Sequence, residues 1–153
     1  LLRHPQAVSK IEDMGVGAAF REVLDDELLQ TDPGRVTRLI FCSGKVYYDL
    51  LDYREKHKIK NAAIIRIEQL YPLHYELLKT ITSRYPRAQK KWIWCQEEPE
   101  NMGAWQHIRN RLEDVTNHHL RYAGRERGSS PAAGSKAIHM LEQAKLVESA
   151  FSV

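Results

Sequence analysis

Two spacings of apolar residues alternate along this chain. Leu39-Ile-Phe-Cys42 is an unbroken apolar run, which suits a strand covered on both faces. Val46, Tyr47, Leu50 and Leu51 then recur at helical spacing, predicting a helix near 45–57. Ala62-Ala-Ile-Ile-Arg-Ile-Glu-Gln-Leu-Tyr-Pro72 gives a second strand, stopped by the proline. Leu73, Leu77, Leu78 and Ile81 mark a second helix, ended by Tyr85-Pro86. Lys91-Trp-Ile-Trp-Cys95 reads as a third strand, and Gly103 precedes a helix that turns Trp105, Ile108 and Leu112 inward. Leu120-Arg-Tyr-Ala123 is a short fourth strand, 124–134 a polar loop, and 135–151 a terminal helix. Parallel strands near 38–42, 62–68, 91–95 and 120–123, alternating with helices, predict an α/β domain: a mostly parallel sheet with helices on both faces. Residues 1–34 show neither period. With Gly15, Gly17 and the turn Thr31-Asp-Pro-Gly34, they read as an irregular connecting arm from a preceding domain, and 35–153 as the domain itself.

Length and composition agree with that reading. The 153 residues suit one domain, and 42% hydrophobic with 28% charged residues is ordinary for a globular chain. A net charge of +3, with bases scattered among acids, lacks the concentrated basic face that nucleic acid requires. No apolar stretch approaches membrane-spanning length. The start, Leu-Leu-Arg-His-Pro, has no signal-peptide design and reads as the middle of a longer polypeptide. Cys42 and Cys95, both at the ends of buried strands, read as reduced core thiols and imply a reducing compartment.

Candidate chemistry concentrates where the first strand turns into its helix. Ser43-Gly44-Lys45 sits at a strand's carboxyl end, the edge where open α/β sheets bind ligands. A hydroxyl, free amides at a helix start and an ammonium suit a phosphate; alternatively Ser43 simply caps the helix. Arg66 would add a second cation if the first two strands are neighbours, and Arg3 and Arg21 could approach from the arm. Arg66 and Glu68, two apart on a strand, face one side and read either as a salt bridge or as ligand or interface groups. Gln96, Glu97 and Glu98 read as solvated or arginine-paired acids, with acid–base work as the alternative. His118-His119 lacks the companions of a zinc site. Arg121, Arg125 and Arg127 read as a solvated basic rim, with an anion site as the alternative.

Several blocks in a fixed order carry a resemblance: Phe41-Cys-Ser-Gly-Lys-Val-Tyr-Tyr-Asp-Leu-Leu51, Ile65-Arg-Ile-Glu-Gln-Leu-Tyr-Pro72, Trp94-Cys-Gln-Glu-Glu-Pro99 with Asn101, Gly103, Ala104 and Trp105, and Leu120-Arg-Tyr-Ala-Gly-Arg125 followed by Ser130-Pro-Ala-Ala-Gly134. Together they resemble the carboxyl-terminal domain of the decarboxylating component of 2-oxoglutarate dehydrogenase complexes. The resemblance implies a fold similar to the transketolase carboxyl-terminal domain, a Rossmann-like three-layer α/β unit. It implies a parent enzyme that uses thiamine diphosphate and magnesium in upstream domains, decarboxylates 2-oxoglutarate, and passes a succinyl group to a lipoyl arm. No catalytic residue is then expected here. The implied work is assembly: contact with upstream domains of the same chain, a homodimer, and a dihydrolipoyl succinyltransferase partner. AMP or acetyl-CoA is the implied effector at Ser43, Gly44, Lys45, Arg66, Arg3 and Arg21. The implied location is bacterial cytoplasm or mitochondrial matrix. A 2-oxoadipate enzyme and a stand-alone nucleotide-binding module are the competing readings. An excised domain should also expose apolar surface on the 1–34 arm and at Trp105.

Overall fold

Every residue of Arg38–Cys42 is buried, and the reason is its position: this strand lies in the middle of a five-stranded sheet. The computed structural model describes residues 3–29, 32–88 and 91–152; Leu1 and Leu2 of the arm and Thr31 of its turn lie outside the described residues. The strands are β1 (Val23–Leu24), β2 (Arg38–Cys42), β3 (Ala62–Ile67), β4 (Trp92–Pro99) and β5 (Leu120–Arg125). They stand in the order β1-β3-β2-β4-β5, with β1 antiparallel to β3 and every other pairing parallel. Four helices connect or flank them: α1 (Val46–Lys56), α2 (Tyr75–Ser83), α3 (Trp105–Thr116) and α4 (Lys136–Ser152).

Alternation of side chains along the strands sorts the core into two layers. Leu39, Phe41, Ala63, Ile65, Trp92 and Trp94 face α2 and α3, meeting Leu78, Ile81, Trp105, Ile108 and Leu112. Ile40, Cys42, Ile64, Ile93 and Cys95 face α1 and α4, meeting Val46, Leu50, Leu146, Val147 and Ala150. The result is a three-layer α/β sandwich, as the alternating pattern predicts. Trp105 is 5% exposed, so its indole belongs to the core and not to the exposed surface expected of it.

The arm is less irregular than its sequence suggests. Val23 and Leu24 pair with Ile67 and Arg66, and the Glu22 carbonyl accepts the amides of Glu68 (2.9 Å) and Gln69 (3.0 Å). Two adjacent acids then fasten it. Asp26 is buried, forms an ion pair with Arg54 of α1, and accepts the Ile64 amide of β3 at 2.8 Å. Arg54 in turn donates to the Ala62 carbonyl at 3.2 Å, so both charges are hydrogen-bonded as buried charges must be. Asp25 accepts from Arg84 at 2.9 Å and from the Tyr85 hydroxyl at 2.5 Å. Burial, and then that bond to Asp25, push the Tyr85 phenol well above its ordinary value.

Removing one partner of a buried ion pair leaves the other charge unpaired, which costs about 3–5 kcal/mol. Asp26→Ala should therefore lower the urea-unfolding free energy by about that much. A loss below about 1 kcal/mol, the range of surface pairs, would show that Asp26 does not anchor the arm.

Candidate functional site

From β2 the chain winds through α1 to β3 on one side, then crosses by α2 to β4 on the other. That reversal makes the carboxyl ends of β2 and β4 the topological switch point, where open α/β sheets form ligand crevices. A crevice of about 540 Å³ opens there, lined by Ser43 and Gly44 after β2, Leu70 and Tyr71 after β3, Trp94, Gln96 and Glu98 of β4, and the start of α3 with His107. Gly44 takes φ 76°, the left-handed region that favours glycine, and lets the chain turn sharply from β2 into α1. Ser43 does not cap that helix: Lys45 occupies the cap position, and no side-chain bond is made there.

Gln96 builds the floor of the crevice. Its Oε1 accepts from the Trp94 indole and from the Trp105 amide, both at 2.9 Å. Its Nε2 donates to the carbonyls of Met102 (2.8 Å), Pro99 (3.1 Å) and Glu98 (3.2 Å). One buried amide thus ties the strand end, the loop after it and the start of α3 together. Gly103, at φ 65°, fits against it: a Cβ there would stand 3.0 Å from Gln96 Nε2 and from Glu98 Cβ. The sequence reading ends the third strand at Cys95, whereas β4 runs on through Gln96–Glu98 to Pro99, which pairs with Arg125 across an irregular register.

The six residues expected to hold a phosphate do not converge on one cavity. Lys45 is neutralised: its Nζ lies 2.9 Å from Glu97 Oε1 and 3.0 Å from Asp49 Oδ2. Burial alone would lower the ammonium's pKa, but the bonds to Glu97 and Asp49 outweigh it and leave the pKa raised. Ser43 lines the switch-point crevice, and Arg3 is exposed and lines neither cavity. Gly44, Arg66 and Arg21 do come together, in a second cavity of about 860 Å³ between the arm and α1. β2 and β3 are neighbours, as the Arg66 reading requires. There the Arg66 guanidinium lies 4.2 Å from the Tyr47 ring centroid and 3.7 Å from Glu68, so the salt bridge read from their spacing is present. Arg21 lies 3.6 Å from Asp13.

Arg125 is not part of a solvated rim. It donates to the Glu97 carbonyl (2.5 Å), the Gln143 side chain (3.1 Å) and His139 Nδ1 (3.1 Å), and its Nε lies 2.9 Å from Glu142. Gln143 passes the network on to Asp49 (2.8 Å) and Glu97 (3.0 Å), and so to Lys45. Pairs this far apart in sequence leave no periodic signal; only the adjacency of α1, β4 and α4 brings them together. Beneath them Cys42 and Cys95 are in-register neighbours on β2 and β4, free and fully buried. Burial raises both thiols, Cys95 to about 12. They are free thiols of the core, the place the sequence reading gives them.

Fold and crevice together define a doubly wound, three-layer α/β domain with a crevice at the switch point of a mostly parallel sheet. The chain belongs to the 2-oxoglutarate dehydrogenase C-terminal family, which it matches over residues 8–151. Its similar relatives include the 2-oxoglutarate dehydrogenase E1 components of Rickettsia felis (46% identical), Azotobacter vinelandii (45%) and Coxiella burnetii (46%), each match covering 100% of this chain and 16% of the relative. The chain therefore spans about one sixth of the length of the curated relatives it matches.

Two measurements check this geometry. Gln96→Ala strands a buried indole and an amide as donors and leaves carbonyls unpaired, so it should cost about 3 kcal/mol, against less than about 0.5 kcal/mol for the exposed Glu98→Ala. Equal costs would remove Gln96 from its structural role. The second concerns pH. Lys45, Cys42 and Cys95 all have raised pKa values, so in the alkaline range the folded chain holds more protons than the unfolded one. The thiol contribution is complete below the ordinary value of 9.0 and is lost as pH rises through about 12, the folded value of Cys95. The urea midpoint should fall across that window, and less steeply in a Cys42→Ala/Cys95→Ala double variant.

Proposed function

We propose that this chain is the non-catalytic carboxyl-terminal domain of a thiamine-diphosphate-dependent 2-oxoglutarate dehydrogenase. The observation that carries this reading is the match over residues 8–151, together with about 45% identity to E1 components of which the chain spans only 16%. The whole enzyme would decarboxylate 2-oxoglutarate and transfer the succinyl group to the lipoyl arm of a dihydrolipoyl succinyltransferase. Bacterial relatives favour a cytoplasmic location over a mitochondrial matrix. Among the described residues no group of three or more His, Cys, Asp or Glu side chains could hold a metal ion. In this reading thiamine diphosphate and magnesium belong to the upstream domains, and none of their chemistry is assigned to the residues here.

Assembly is the role proposed for this domain. Val8, Ile11, Met14, Val16, Phe20 and Leu28 are between 65% and 112% exposed, all on the arm, which leads in from the amino-terminal side. Large apolar side chains gathered on one segment mark an interface, and the upstream domains and a second subunit are the partners proposed for it. Effector binding is proposed at the cavity between the arm and α1. The cations there are Lys10, Arg21 and Arg66, the last two paired with Asp13 and Glu68, and the Tyr47 ring lies under the Arg66 guanidinium. Lys45, held by Glu97 and Asp49, does not line this cavity.

Decarboxylation assays on two polypeptides test this. The 153-residue chain, given thiamine diphosphate and magnesium, should consume no 2-oxoglutarate, and the natural polypeptide including its upstream residues should. Turnover that follows the short chain through purification would overturn the reading. So would an intact polypeptide that is active on 2-oxoadipate and inactive on 2-oxoglutarate.

A further inference from the structure

The switch-point crevice and the arm cavity share Gly44 in their linings, and the charges around them differ. The arm cavity has charges of both signs in its lining, Lys10, Arg21 and Arg66 with Asp13, Asp25, Glu27 and Glu68, whereas Glu98, His107 aside, carries the only formal charge among the residues lining the crevice. Glu98 forms no salt bridge or side-chain hydrogen bond among the described residues, although its backbone carbonyl accepts from Gln96 and Tyr122. Lys45, the nearest cation in sequence to the crevice turn, is held by Asp49 and Glu97.

The unused polar groups of the crevice are mainly acceptors. The His107 Nε2 lies 3.2 Å from the Leu70 carbonyl oxygen, which has no hydrogen to give, so Nε2 donates and the neutral ring keeps Nδ1 as an acceptor. The hydroxyls of Ser43 and Tyr71 have no partner among the described residues and accept as readily as they donate. Gln96, by contrast, spends both ends of its amide on the protein itself. Tyr71 makes a T-shaped ring contact with His107 at 6.1 Å and is 77% exposed, so its ring still offers aromatic surface to solvent. A carboxylate, spare acceptors and exposed aromatic surface match one kind of ligand: a cation rich in N–H donors.

We propose that the crevice at the carboxyl ends of β2 and β4 binds a primary alkylammonium group, with Glu98 as its counter-charge, Ser43 and His107 as hydrogen-bond acceptors, and Tyr71 as a cation–π face. The site goes beyond the assembly and effector roles and depends on neither of them. Its charge preference is opposite to that of a phosphate site.

Ligand-observed NMR titration of the chain tests this with three probes of similar size: butylammonium, 1-butanol and butyrate. Butylammonium should bind in the millimolar range, at least fivefold more tightly than 1-butanol, and butyrate should not bind. Glu98→Gln should weaken butylammonium about fivefold, the effect of a partly exposed charge pair, and leave 1-butanol unchanged. Tyr71→Ala should weaken it a further twofold or more. Both side chains are at the surface, so neither change threatens the fold. Equal affinity for butylammonium and 1-butanol, tighter binding of butyrate, or unchanged butylammonium affinity in Glu98→Gln would each overturn the proposal.

Discussion

The carboxyl edge of this domain depends on the five hydrogen bonds of the Gln96 side chain. Strand β4 leaves the sheet interior there, and the loop that follows must present backbone carbonyls and an amide to a region that water does not reach. Each such group left unpaired costs about 1–3 kcal/mol. Gln96 meets several of them at once, which permits Gly103 and Trp105 to pack closely over the strand end. Because those groups are satisfied within the protein, the polar atoms left over at the crevice are those of Ser43, Tyr71, Glu98 and His107. The chemistry of the edge is in that sense what remains once Gln96 has been satisfied.

The same constraint, applied at the other edge of the sheet, explains the arm. β3 would offer a bare row of amides and carbonyls, and two residues of β1 cover only part of it. Asp26 extends the cover by accepting the Ile64 amide with its carboxylate, and Arg54 balances the buried charge. Buried side chains thus complete backbone pairing that the short strand cannot. The charges around Lys45 follow a different logic. Lys45, Asp49, Glu97, Gln143 and Arg125 join α1, β4, β5 and α4 in one network, which draws cations away from the crevice and leaves Glu98 there unopposed.

Much of the fold was legible in the sequence, because β2, β3 and α1 to α3 have strong periods and the core residues follow them. The order of strands that places β2 between β3 and β4 is not a local property, yet the regular strand–helix alternation pointed to the parallel sheet that requires such a crossover. What escaped was short or long-range. β1 is two residues long, too short for any period. Asp25-Asp26 carries no local signal of burial, and only folding brings Arg84 and Arg54 alongside. Trp105 could be read both as core and as exposed surface, and packing against Tyr122 and β4 decides for the core. The phosphate reading of Ser43-Gly44-Lys45 rested on local chemistry alone. Of the two partners that neutralise Lys45, Asp49 lies one helical turn on, but Glu97 is distant in sequence and becomes its neighbour only through the parallel pairing of β2 with β4.

Amide hydrogen exchange at Trp105 reads the central constraint most directly, because that backbone N–H bonds to a side chain, Gln96 Oε1, and to no strand or helix carbonyl. If Gln96 holds the carboxyl edge together, the Trp105 amide is as protected as those of Phe41 and Cys42 in β2, and Gln96→Ala speeds its exchange while those two retain most of their protection. Trp105 exchanging as fast as an exposed loop amide in the unaltered protein would contradict it.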